Sequence, residues 1–169
     1  MLSSDNVDRF RDQWARELPE LDTSAMAVLG RMNRISQMIH SNICAVFAEH
    51  GLDRGEFDVI ATLRRSGKPY RLTPTELYTS LMLSSGGLTS RLARLEKGGL
   101  LVREPSKGDG RSLTARLTKQ GIRVAEAAFR ADMANELKLL DALSKAERET
   151  LARLLRNLMI SLEARIEQR

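Results

Sequence analysis

Cysteine is nearly missing from this chain of 169 residues: Cys44 stands alone. That excludes an internal disulfide and a cysteine-built zinc finger. Histidine is scarce too, at His40 and His50 only, and one thiol with two imidazoles is not the donor set of a dedicated zinc site. No apolar run approaches the ~20 residues that a membrane helix needs, so no membrane association is expected. The opening MLSSDNVDRFRDQW is acidic and has no apolar stretch. It does not read as a secretory signal, and a cytoplasmic location is the default expectation. Proline numbers four, which leaves room for long uninterrupted helices. Catalytic patterns are missing as well. There is no Ser/His/Asp set, no phosphate-cradling loop and no metal-ligand spacing, so neither an enzyme nor a cofactor is expected.

What is present is 42% hydrophobic and 29% charged residues, enough for a core and too apolar for a disordered chain. The net charge of +5 is unevenly spread. Residues 1–60 hold 6 basic and 10 acidic side chains, residues 61–120 hold 12 and 4, and residues 121–169 hold 9 and 8. The middle segment therefore carries +8, against −4 and +1 on its flanks. A basic block between near-neutral ones points to a polyanion surface, most simply nucleic acid; an ordinary solvated surface is the alternative.

Apolar spacing predicts a helix over 5–18, closed by Pro19, and a second from Thr23 or Ser24 to Ala48. Asp53 with Glu56 starts a helix over 54–65, and Thr73-Pro74-Thr75-Glu76 starts a short one over 74–81. Ser84 caps a helix over 85–97 that ends at Gly98-Gly99. Residues 100–104 and 112–117 read as strands joined by the loop PSKGDGR. Thr118 opens a helix over 119–141, and Ser144 with Glu147 opens the last, over 145–167. The expected fold is mainly α with a small β-wing: a winged helix-turn-helix with long terminal dimerisation helices. Residues 1–50 form an N-terminal extension helix and a first dimerisation helix. Residues 51–120 form the DNA-binding region, and residues 121–169 the C-terminal dimerisation helices.

On the helix over 85–97, Leu88, Leu92 and Leu95 share the face expected in the core. Ser84, Ser85, Thr89, Ser90 and Arg94 fall elsewhere, where small hydroxyl groups at a helix start approach bases and phosphates without obstruction. Gly86 and Gly87 in a first turn would cost helix stability, roughly 0.8–1 kcal/mol each against Ala, which favours a close-approach role. In the wing, Lys107 and Arg111 suit the negative potential of a minor groove. Asp109 is expected to be structural, either holding Arg111 and loop amides or serving as a plain turn residue before Gly110.

The stretch Asp109-Gly-Arg111-Ser-Leu113-Thr-Ala-Arg-Leu117-Thr118-Lys-Gln-Gly121, preceded by SRLARLEKGGLLVRE, resembles the wing signature of the MarR family of bacterial transcriptional regulators. The resemblance covers roughly residues 24–165. It implies a homodimer that binds a pseudo-palindromic operator in double-stranded DNA and usually represses transcription. The recognition and wing roles would fall on Ser85, Thr89, Ser90, Arg94 and Arg111. The stretches WARELPELDTSAM and GEFDVIATLRRSGKPYRLTPTEL are similar to the PecS-type, urate-responsive branch. That similarity implies an effector site for urate or a related purine at Trp14, Asp58, Arg91 and Arg103.

The residue types suit such a ligand. Urate is a flat monoanion at neutral pH, served by an aromatic plane and planar guanidinium donors. Asp58 sits in an otherwise apolar segment, and a buried acid is normally paired, with Arg91 or Arg103 the natural partners. The alternative is a plain salt bridge, with Trp14 packing the first helix onto the core. Cys44, among Ile43, Ala45 and Val46, reads as a small core or interface residue; a redox-responsive regulator sensing through Cys44 is the rival function. Leu137, Leu140, Leu143, Leu151, Leu155, Leu158 and Leu162 exceed what one small winged domain covers and imply a second copy of the chain.

Overall fold

Caps written into the sequence start most of the helices. The computed structural model describes residues 4–81, 87–106 and 109–168, and the side chains of residues 106, 109–112 and 167 stand outside that description. Helix α1 (Asn6–Glu17) begins where the Asp5 carboxylate accepts from the amides of Val7 and Asp8, at 2.8 and 3.0 Å. Helix α2 (Ser24–Glu49) has no side-chain cap at Thr23. Helix α3 (Arg54–Arg65) opens on a reciprocal box between Asp53 and Glu56. After strand β1 (Arg71–Leu72) comes α4 (Pro74–Ser80), opened by Thr73 and Glu76 with Pro74 in the first turn. Helix α5 (Leu88–Lys97) precedes strands β2 (Leu101–Ser106) and β3 (Asp109–Leu117). Helices α6 (Lys119–Leu139) and α7 (Lys145–Glu167) are opened by Thr118 and by Ser144 with Glu147.

Three expectations need correction. The sheet has three antiparallel strands in the order β1-β3-β2, because Arg71 and Leu72 pair with Arg116 and Ala115. Two residues carry no readable periodicity, so only the pairing reveals them. The hairpin strands run longer than expected, which puts Asp109 and Arg111 in β3 and not in its loop. Gly87 lies before α5 and not in its first turn. Its φ of 90° is left-handed, so glycine there relieves strain and costs the helix nothing.

The core gathers α2, α3, α4, α5, the sheet and α6 through Phe47, Val59, Ile60, Leu63, Leu77, Leu92, Leu95, Leu101 and Ala128. Phe47 and Phe57 stack with ring centroids 3.9 Å apart. The predicted face of α5 is inside: Leu88, Leu92 and Leu95 are all buried. Helix α1 lies across α2, with Val7 packed at Gly30 and Arg31 bonded to Asp5 and Asp8 at 2.8 and 2.6 Å. Gly121, in the first turn of α6, meets the backbone of Leu100 where a Cβ would stand. No helix among the described residues is long and apolar enough to cross a membrane.

Candidate nucleic-acid interface and effector site

Both arginines on the α3-facing side of α5 reach the first turn of α3. The carboxylates that cap α3 are the reason. Glu56 and Asp53 satisfy each other's amides at 2.9 and 2.7 Å, and their remaining oxygens hold Arg94, at 2.6 Å each. One turn earlier on α5, the guanidinium of Arg91 occupies the space that a Cβ on residue 55 would fill. Gly55 is therefore the seat of Arg91. At the other end of α5, Glu96 binds Arg103 of β2, with Nε at 2.7 Å. That bond holds the Glu96 carboxyl below its usual range.

Asp58, one turn past Arg54 on α3, departs from expectation. Neither Arg91 nor Arg103 pairs with it: Arg103 is bonded to Glu96, and Asp58 Oδ2 is buried with no hydrogen-bond partner among the described residues. Burial pushes the Asp58 carboxyl up, and the nearby charges of Arg54 and Arg91 pull it back only in part. Trp14 lies apart from these groups. It lines a groove of about 290 Å³ with Phe10, Gln13, Glu17 and Met26, and none of Asp58, Arg91 and Arg103 borders it. The structure thus brings Asp58 and Arg91 together and leaves Trp14 and Arg103 elsewhere.

Of the residues expected at DNA, Thr89 and Ser90 are exposed on α5 opposite its leucines. The Ser90 hydroxyl donates to the carbonyl of Gly87 at 3.2 Å. Arg94 is exposed but committed to α3. Ser84, Ser85 and Lys107 lie outside the described residues, as do the side chains of Asp109 and Arg111. Cys44 is half-buried in the single chain, with Sγ 3.7 Å from Nε2 of His40.

Sequence reasoning missed a group on α6. Asp132 is buried, burial raises its carboxyl, and Arg54 is the charge that opposes the rise. Glu136 is raised by burial and by Asp132. The available signal was spacing: Asp132 continues the buried stripe of Ala125 and Ala128.

Comparison with known proteins decides the family. The chain is 39% identical over 149 residues to the HTH-type transcriptional regulator PecS of Dickeya dadantii (strain 3937), covering 88% of this chain and 90% of that protein. The chain belongs to the MarR family. The family model described as MarR family matches residues 50–112, from the end of α2 into β3. A cysteine-to-serine variant of MarR from E. coli superposes with a TM-score of 0.65 at 26% identity, covering 78% of this chain and 96% of that one. The same variant complexed with operator DNA gives 0.66 at 24% identity over 86% and 96%, a likeness of fold alone. This MarR-family chain is a DNA-binding transcriptional regulator of winged helix-turn-helix fold, and not an enzyme.

Proposed function

We propose that this MarR-family regulator is a repressor acting as a homodimer on a pseudo-palindromic operator, and that urate or a related purine weakens its hold. Thr89 and Ser90 face solvent from α5. With Ser84 and Ser85 before them, and Lys107 and Arg111 in the wing, they make up the reading surface. Arg94 is a positioning residue, since its guanidinium fastens α5 to Asp53 and Glu56.

A single observation carries the effector reading: Asp58, a half-buried carboxylate whose buried Oδ2 has no hydrogen-bond partner among the described residues, lies on the helix against which Arg91 of the recognition helix is seated. A purine that engages Asp58 and Arg91 draws the guanidinium off Gly55 and frees α5 to tilt. Two recognition helices must sit one DNA turn apart, about 34–36 Å, so a tilt doubled by symmetry breaks contacts at both half-sites. Similarity to PecS supports the same reading. Trp14 and Arg103 belong to the proposal on the sequence resemblance alone, since Trp14 lines another groove and Arg103 is bonded to Glu96. A gel-shift titration on operator DNA tests the reading. Release by urate is expected, and no release at millimolar urate removes urate as the effector.

A further inference from the structure

The wing leaves the body of the protein at Leu101 and Leu117, a paired rung that is 1% and 2% exposed. Strand alternation puts Arg103 and Ala115 on the same face one rung out, and Pro105 and Leu113 on the rung after that. Leu113 is already 46% exposed, so the sheet clears the core between the second rung and the third. On the opposite face Glu104 of β2 binds Arg116 of β3 at 2.9 and 3.2 Å and Arg71 of β1 at 3.8 Å. Those bonds tie the strands to one another and not to a helix.

The hold between the outgoing wing and the recognition helix is made by Glu96 of α5. Its Oε1 accepts from the backbone amide of Arg103 at 3.1 Å, and its Oε2 accepts from the guanidinium Nε at 2.7 Å. A carboxylate that grips both the main chain and the side chain of one residue fixes orientation as well as distance. The covalent link from α5 to β2 passes through Gly98 and Gly99 and supplies little stiffness of its own. Arg111 stands four residues before Ala115 in β3, which sets it roughly 13 Å beyond the clamp at about 3.3 Å per residue. On that lever arm a tilt of about 10° carries residue 111 about 2 Å, more than a hydrogen bond tolerates.

We propose that Glu96 is a positioning residue for DNA recognition: by clamping Arg103 it fixes the wing to the recognition helix, so that α5 and Arg111 meet the major and the minor groove in one register. The inference rests on the reading surface proposed above and is independent of the effector. Thr89 and Ser90 of α5 read base edges, and Arg111 answers the negative potential of the minor groove. Glu96 touches neither. It makes the two readers one rigid body, which binds well only where both grooves offer their targets at the fixed separation. Exposed ion pairs add little to stability, so loss of the clamp is expected to leave the fold intact and to show in recognition.

Gel-shift titration and footprinting of the full chain, on a duplex that wild type selects from a random pool, test the clamp. Glu96→Ala is expected to keep the protection of guanine N7 in the major groove and to lose hydroxyl-radical protection of the flanking minor groove. Its Kd should rise about tenfold at an unchanged Tm. Arg111→Ala is expected to raise Kd by a similar factor in wild type and by less than about twofold in Glu96→Ala, because a wing out of register has no contact left to lose. Glu96→Gln, whose Oε1 still accepts from the Arg103 amide, should fall between wild type and Glu96→Ala. Equal Arg111→Ala effects in both backgrounds, or minor-groove protection retained in Glu96→Ala, overturn the proposal and leave the wing in the reading surface. Loss of both protections together makes Glu96 a support of α5 itself and overturns the proposal too. An Arg111→Ala that changes nothing in wild type removes the wing from the reading surface, and the clamp's role with it. Should Glu96→Ala not fold, Glu96→Gln decides by the same double-mutant comparison.

Discussion

Gly121 tolerates no side chain. Its neighbour is the main chain of Leu100, which the hairpin and the Thr118 cap hold in place: Thr118 Oγ1 donates to the Gly99 carbonyl at 2.7 Å and accepts from the Gly121 amide at 3.0 Å. A backbone atom cannot swing aside, so Gly121→Ala is expected to destabilise by about 1–3 kcal/mol, the usual cost of overpacking. For a chain this long that is a fall of roughly 2–4 °C in Tm per kcal/mol, read by thermal melting. An unchanged Tm would show that the start of α6 can shift. At Gly55 the obstacle is the far end of a flexible side chain, Arg91. There the glycine serves the position of the arginine more than the stability of the fold.

The seam of α3 and α6 brings its own pH dependence. The Asp132 carboxyl is raised by burial, so the folded state holds this proton to higher pH than the unfolded chain does. Stability from this group is greatest below the ordinary carboxylate value of about 3.9 and falls as pH rises through the folded value. Above that window the penalty is fully present. Asp132→Asn removes the titration. Melting from acid to neutral pH is expected to show the variant gaining on wild type across this window, and a constant difference at every pH would exclude it. At this scale much was readable beforehand. Asp53-Glu56, Thr73-Glu76 and Ser144-Glu147 each name a helix start because the cap is a local exchange of bonds. The lack of a partner for Asp58 Oδ2 among the described residues, the seating of Arg94 on the α3 cap and the pairing of β1 depend on elements far apart in the chain, and no local pattern encodes them.

As a whole, one copy of the chain leaves long apolar helix faces exposed. Leu154, Ile160 and Ile166 of α7 are 53%, 57% and 72% exposed, and Leu29 and Ile35 of α2 are 54% and 52% exposed. In the proposed homodimer a second copy covers these faces. Leu154→Glu with Ile160→Glu is expected to give a monomer in sedimentation velocity. Operator affinity should fall roughly a hundredfold, the avidity of two linked half-site contacts. A wild type that sediments as a monomer would remove the proposed homodimer, and a variant that stays dimeric would move its interface away from α7.

The positive charge of the middle segment also changes meaning in three dimensions. Arg64, Arg71, Arg94, Arg103 and Arg116 all pair with carboxylates. Three of those carboxylates, Asp53, Glu56 and Glu126, lie outside residues 61–120. Composition, spacing and caps sufficed for the order of the helices, the presence of the hairpin and the buried face of α5, because each depends on residues within a few positions of one another; they missed β1, the length of the hairpin and the start of α5. Which arginines remain for DNA and which acids stay unpaired were decided by the packing of α3 against α5 and α6. Charges pair by distance in space, and only the folded chain sets those distances.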